Sequence, residues 1–201
     1  RYADPLLFAL PAASFKLTEA MHGMVDGEPS SGAITLPDNP ERSQLVKSLA
    51  HYLGALDVGI TLLKPEHIYS HIGRGAGTYG DPIDLDHRYA IAFTVEMEHT
   101  MVASAPHAPA SMESARQYVE AGRAAVQLAQ AIRSWGYPAR AHMDGDYRVI
   151  CPLVARDAGL GEISRMGIIL NPFLGANFKA AAVLTDLELE PDGYIDFGLQ
   201  Q

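Results

Sequence analysis

Tyr118 lies one helical turn after Ser114 and one before Gly122, and Ala125 and Ala129 continue the same line. On a helix this spacing makes a narrow face of small residues ending in one phenol and one hydroxyl, which lets a bulky neighbour come close. A phenol in that place has two uses. It fills the end of a packed helix, or it gives up a proton as a general acid. A cation beside it favours the second use, because it stabilises the phenolate and lowers a pKa that starts near about 10. Lys179 is the candidate cation, closing Gly175-Ala-Asn-Phe-Lys just before an apolar strand, where it is drawn close to the end of a sheet. Spacing alone does not bring the two residues together.

A second cluster runs from Asp157 to Gly175 and holds Gly159, Gly161, Gly167 and Gly175. Glycines so dense imply a backbone that turns sharply or approaches something closely. Within it Arg165 reads as a buried arginine, able to pair with Glu162 three residues earlier or to reach an anionic ligand.

Other groupings point to less. The loop Gly73-Arg-Gly-Ala-Gly-Thr-Tyr-Gly has the look of a phosphate cradle, but Pro82 follows and no helix opens, so a nicotinamide dinucleotide is not expected. That leaves a surface or lid loop, or a loop that folds over a ligand. His67 and His71 stand at i and i+4, yet no glutamate follows His67, and the remaining histidines are scattered; no metal site is expected. The one cysteine, Cys151, sits in the apolar run Val149-Ile-Cys-Pro-Leu-Val and reads as a small buried hydrophobe. A single cysteine excludes a disulfide or a four-cysteine iron–sulfur site within these residues.

The elements that must position these groups are an α/β set. Asp38 or Asn39 caps a helix with Pro40 in its first turn, apolar residues recur from Leu45 to Leu53, and Gly54 stops it. Apolar strands are expected near 57–63, 88–97, 139–143 and 181–189. The longest helix runs from Ser111 to about Trp135, ended by Gly136-Tyr-Pro. Val149–Asp157 forms a helical turn or two. The strands are continuously apolar, so both sheet faces are covered, giving an α/β sandwich around a central sheet. Residues 1–37 read as an N-terminal arm with marginal structure of its own, and 38–201 as one domain.

A formal net charge of −9, with basic residues spread singly, argues against a nucleic-acid partner. No apolar run approaches the roughly 20 residues of a membrane span. Arg1-Tyr-Ala-Asp-Pro does not resemble a signal peptide, and the low cysteine content fits a reducing compartment; a cytoplasmic location is the expectation.

From about residue 55 onward the chain resembles the catalytic core of reductive dehalogenases. The matching pieces come in the family's order: Leu53-Gly-Ala-Leu-Asp-Val-Gly-Ile, the strand Arg88–Met97, Tyr118 in a long helix ending Trp135-Gly-Tyr, Gly159-Leu-Gly-Glu-Ile-Ser-Arg-Met-Gly, and Val183-Leu-Thr-Asp-Leu-Glu-Leu. The resemblance implies a nitroreductase-like α/β fold, similar to cobalamin-processing proteins and epoxyqueuosine reductase. It implies Tyr118 as proton donor, Ser114 lining the same pocket, and a basic partner in a segment usually written Gly-Pro-Arg-x-Arg. Here that segment is Gly175-Ala-Asn-Phe-Lys, which leaves Lys179 as the base. Base-off cobalamin would lie along the loop that holds Gly161, Glu162, Ser164, Arg165, Met166, Gly167, Ile168 and Leu170.

The family continues past Asp196-Phe-Gly-Leu-Gln-Gln into cysteine-rich motifs for [4Fe–4S] clusters, so the resemblance also implies a fragment of a longer enzyme. Its substrate would be a small organohalide, with a halogenated aromatic as one candidate, and its electron donor a ferredoxin or a reductase domain. Two other readings stay open: a non-catalytic cobalamin-binding or processing module, and a flavin or epoxyqueuosine-type reductase on the same fold.

Overall fold

The computed structural model describes residues 4–199. Arg1-Tyr2-Ala3 and Gln200-Gln201, which belong to the opening and closing segments read above, lie outside the described residues. The central sheet has four strands, β1 (Asp57–Leu62), β2 (Tyr89–Glu96), β3 (Ala139–His142) and β6 (Phe178–Thr185), in the order β1-β2-β6-β3. Each neighbouring pair is antiparallel. The glycine-rich stretch folds into a short hairpin of β4 (Glu162–Ile163) and β5 (Ile169–Leu170), separate from the main sheet.

Side chains alternate between the two faces of a strand, and both alternating sets are apolar here. Ile91, Phe93, Val95, Ala181 and Val183 enter one core with the helices α2 (Asn39–Tyr52) and α4 (Ala108–Ser134). Ala90, Ala92, Ala182 and Leu184 enter a second core with Val154 and Ala155 of α5 (Cys151–Asp157). The expected α/β sandwich, a central sheet flanked by helices, is the observed architecture.

Helix α2 starts at the Asp38 cap with Pro40 in its first turn and stops before Gly54, whose φ of 101° only glycine adopts readily. Helix α4 begins three residues sooner than Ser111, because Pro109 occupies its first turn, and ends at Trp135 and Gly136. A short helix α3 (His99–Ala103) precedes it.

The N-terminal arm departs from its reading. Pro5–Met21 is a 17-residue helix, α1, capped by the Asp4 carboxylate, which accepts from Leu6 N at 2.9 Å. It packs along α4. Pro11 inside it and outward-facing Leu6, Leu10 and Leu17 erase the periodic stripe that would have revealed it.

Strand β6 also shifts, from the expected 181–189 to 178–185. Phe178–Ala180 pair with Glu96–Thr94 of β2. After Thr185 the Asp186 carboxylate accepts from Arg88 N at 3.1 Å and Leu187 N donates to Thr185 Oγ1 at 3.0 Å, drawing the chain off the ladder. Leu187 and Leu189 remain buried, so the apolar pattern continues past the last paired residue.

Candidate functional site at the Tyr118 end of the sheet

Two-residue alternation decides where Lys179 points. It precedes Ala181 by two positions on β6 and shares that residue's face, the one covered by α4. Tyr118 is on α4, four residues before Gly122. A methyl group added at Gly122 would lie 2.4 Å from Met143 Cε and 3.2 Å from Met21 Cε, so the small-residue face does admit bulky neighbours. The result is a contact between Lys179 and Tyr118. The ammonium Nζ stands 4.1 Å from the centroid of the Tyr118 ring, within the range of a cation–π interaction.

The half-buried Tyr118 forms one wall of a cavity of about 260 Å³. The other walls come from both layers and from two loops: Cys151 and Pro152 at the start of α5, Ala180 of β6, Tyr69 and Arg74, and the Met143–Val149 connection with Tyr147. The rings of Tyr69 and Tyr147 stand 5.8 Å apart at 42°. Desolvation raises the Tyr69 pKa above its ordinary value, with the neighbouring Tyr147 adding to the effect. Burial pushes the Cys151 thiol up to about 12, which suits an inert wall and not a nucleophile.

Buried polar groups fix these loops. The Arg148 guanidinium donates through Nη1 to the Arg74 carbonyl at 2.6 Å and through Nη2 to that of Ala76. Its own carbonyl accepts from Tyr69 N at 3.0 Å. Gly75 has a φ of 84°, and a Cβ there would meet the Asp146 carboxyl at 2.7 Å, so the glycine loop is pressed onto a buried acid. Asp146 in turn accepts from Arg140 Nη2 at 2.7 Å. The glycine loop is exposed from Gly73 to Gly80 and borders the cavities through Gly73 and Arg74.

A second buried cluster ties the 64–67 turn to α5. His67 Nε2 lies 3.0 Å from Asp157 Oδ2, and its Nδ1 accepts from Lys64 N at 3.2 Å, which assigns the proton to Nε2. Asp157 is further held by Lys64 Nζ and Arg156 Nε, each at 2.6 Å. Burial would raise the Asp157 pKa, but these hydrogen bonds outweigh it and hold the carboxyl well below the usual range. His67 and His71 therefore do not share a helical face: His67 is fully buried and His71 is exposed beside Ser70. Among the described residues no group of three or more histidine, cysteine or acidic side chains is arranged to hold a metal.

The remaining expected site residues separate. Ser114 lines a shallow groove with Phe15, Pro106 and His107 and not the Tyr118 cavity, although Phe15 touches Tyr118 at a centroid distance of 6.0 Å. Arg165 is exposed, contrary to its buried reading, because Ser164–Gly167 forms the hairpin's turn. It does not pair with Glu162, which is buried and accepts from Tyr194 Oη at 3.0 Å and Leu199 N at 2.9 Å. Gly161 and Leu170 meet at the hairpin base, where a Cβ on Gly161 would lie 2.1 Å from Leu170 O. Ser164 is half-buried, and Met166, Gly167 and Ile168 project at the tip. Tyr69, Arg74 and Tyr147 join the site without a signal in the sequence, because they sit in irregular loops where no period marks a common direction.

No protein-family model matches the chain. It is 33% identical over 128 residues to the tetrachloroethene reductive dehalogenase of Sulfurospirillum multivorans, covering 60% of this chain and 25% of that protein. It is 31% identical over 111 residues to the enzyme of the same description from Desulfitobacterium hafniense, covering 55% and 20% respectively. The chain thus spans about a quarter or less of the length of the curated relatives it matches. Among solved structures, the catabolic reductive dehalogenase NpRdhA superposes with a TM-score of 0.81 at 28% identity, over 94% of this chain and 28% of that one. An epoxyqueuosine reductase bound to a tRNA stem loop shares the fold alone, with a TM-score of 0.58 at 14% identity over 78% of this chain and 48% of that one. With sequence and fold agreeing over most of its length, the chain carries a reductive-dehalogenase-like core.

Proposed function

We propose that this core serves the reductive removal of halide from a small organohalide, with Tyr118 as proton donor and Lys179 as its charged partner. The observation that carries the reading is the Lys179 ammonium 4.1 Å from the centroid of the Tyr118 ring, beside a cavity lined by both layers of the fold. The net reaction replaces carbon–halogen by carbon–hydrogen, consuming two electrons and one proton and releasing halide. Tyr118 supplies the proton as a general acid. Lys179 stabilises the phenolate that remains until it is reprotonated. Aromatic walls at Tyr69 and Tyr147 suit a halogenated aromatic substrate, and NpRdhA has been solved with 3-bromo-4-hydroxybenzoic acid.

The residues fit a cobalamin at the hairpin. Met166 is 80% exposed and Phe173 91%, with Ile168 also exposed, and a Cβ on Gly167 or Gly175 would meet nothing within 4 Å. This is an apolar, uncrowded face that a broad planar ligand would cover. Helix α5 packs on β4 and β5, and its first turn lines the Tyr118 cavity. A cobalamin held there would supply the electrons for cleavage of the carbon–halogen bond. Ser164, Met166, Gly167 and Ile168 would offer backbone and apolar contact, whereas Gly161 is buried against Leu170 and Glu162 anchors the C-terminal segment from inside. A [4Fe–4S] cluster does not fit the single cysteine here; thiolates elsewhere in the protein would have to carry it, fed by a ferredoxin or a reductase domain.

The test is Tyr118→Phe in the full-length, cofactor-loaded protein. Halide release should be abolished while the cobalamin absorbance of the purified variant stays at the parent level. Undiminished halide release would sink the assignment.

A further inference from the structure

Arg74 stands where three cavities meet. It lines the Tyr118 chamber, an adjoining pocket of about 230 Å³ walled by Tyr69 and Tyr147, and a wider cleft between the glycine loop and α1. The first two are below the roughly 300–1,000 Å³ of drug-sized ligand sites, which restricts their occupant to a small molecule.

Arg74 makes no close ion pair, whereas several other arginines do. Arg140, Arg148 and Arg156 each lie within 4.0 Å of an aspartate. Among the described residues Arg74 has no carboxylate at that distance; Tyr147 lines two of its cavities beside it, and the Asp144 carboxylate, which lines two of them, acts on it from further away. A guanidinium stays charged at any working pH. Its backbone is held in place, since the Arg74 carbonyl accepts from the buried Arg148 at 2.6 Å and Gly75 is seated on Asp146. The fold thus fixes the loop that carries this cation beside two aromatic rings.

A fork of N–H donors matches a carboxylate or phenolate oxygen, and flat tyrosine faces match an aromatic ring. We propose that Arg74 is a specificity-determining residue that selects an aromatic organohalide bearing an anionic group over its neutral counterpart. The inference rests on the reading that this cavity receives the organohalide, and it adds the charge of the substrate and the residue that reads it.

The experiment is equilibrium binding of 3-chlorobenzoate and its methyl ester to the full-length, cofactor-loaded protein, by titration calorimetry. The parent should bind the carboxylate at least about tenfold more tightly than the ester, the scale of one charge-assisted hydrogen bond. Arg74→Gln should bring that ratio to within about twofold of one, and Arg74→Lys should keep part of it, as expected for a point charge without the planar fork. Failure of the parent to bind the carboxylate, a preference for the ester, or an unchanged ratio in Arg74→Gln would overturn the proposal. Halide release, assayed separately, distinguishes the two readings. An Arg74-dependent preference without halide release from any organohalide refutes the dehalogenase reading alone, whereas halide release with an unchanged ratio refutes the Arg74 assignment alone.

Discussion

Lys179 approaches the face of the Tyr118 ring, with its ammonium 4.1 Å from the centroid, and not its edge. The contact joins the sheet to the long helix at the cavity wall, and in the neutral state it is a cation–π pair. Once the phenol has given up its proton, the same ammonium becomes a counter-ion. Replacing Lys179 by Gln should therefore lower turnover by about 10²–10³, the range for loss of one preorganised charge-stabilising donor. Steady-state halide release checks this, with the cobalamin absorbance showing that the cofactor is still bound, and a parent-like rate would exclude the role.

The hairpin tip yields a prediction about cofactor affinity. Met166 is 80% exposed, so its replacement by Asp leaves the core untouched. If the tip meets a corrinoid, losing that apolar contact should weaken cobalamin binding by about tenfold or more, the scale of one buried Met side chain. Spectrophotometric titration of the reconstituted protein reads the change. Equal affinity in parent and variant would remove the hairpin from the binding surface.

Arg148 should act as a strut. Substituting Met removes the donors to the Arg74 and Ala76 carbonyls and leaves the buried Asp146 facing fewer positive charges. A loss of about 1–3 kcal/mol in stability is expected for the unsatisfied groups. Hydrogen exchange should quicken around Gly80, whose amide donates to Ile72 O at 2.8 Å within the same loop. Unaltered protection there would mean that the loop holds itself.

Two buried histidines set an acid limit on stability. Burial lowers the pKa of His67, partly offset by Asp157, and lowers that of His142 much further, with Arg140, His87 and Arg148 adding to it. His142 Nδ1 already accepts from Arg148 N at 3.0 Å, so the neutral ring carries its proton on Nε2. In the unfolded chain both take up a proton near their ordinary value of 6.5, while the folded protein resists. The unfolded state then binds more protons, and stability falls as pH drops below that value, by up to about 1.4 kcal/mol per pH unit for each histidine. The depressed Asp157 carboxyl adds a further loss as pH falls past its ordinary 3.8. Urea unfolding between pH 7.5 and 5 measures the slope, which should shrink in His142→Gln whatever that variant's absolute stability. A flat profile in the parent would contradict the assignment.

Much of this protein is set by local chemistry and could be read from the chain. Proline in a first turn and glycine after a last one place α2 and the end of α4 to within a residue or two, because capping depends on near neighbours alone. Uninterrupted apolar strands imply a sheet covered on both faces, since burial on each side leaves no polar alternation. The ordered pieces around Tyr118 and the glycine-rich stretch carry the family likeness. What the tertiary structure decided is which residues meet. Lys179 reaches Tyr118 because β6 starts three residues sooner than its apolar run and the two-residue alternation then turns that side chain toward α4. Ser114 leaves the cavity and Arg165 leaves the interior for the same kind of reason: direction is set by packing against distant elements, not by spacing along one. Tyr69, Arg74 and Tyr147 come together through long-range contacts that carry no periodic signature, among them the buried Arg148, which binds backbone far from it in sequence.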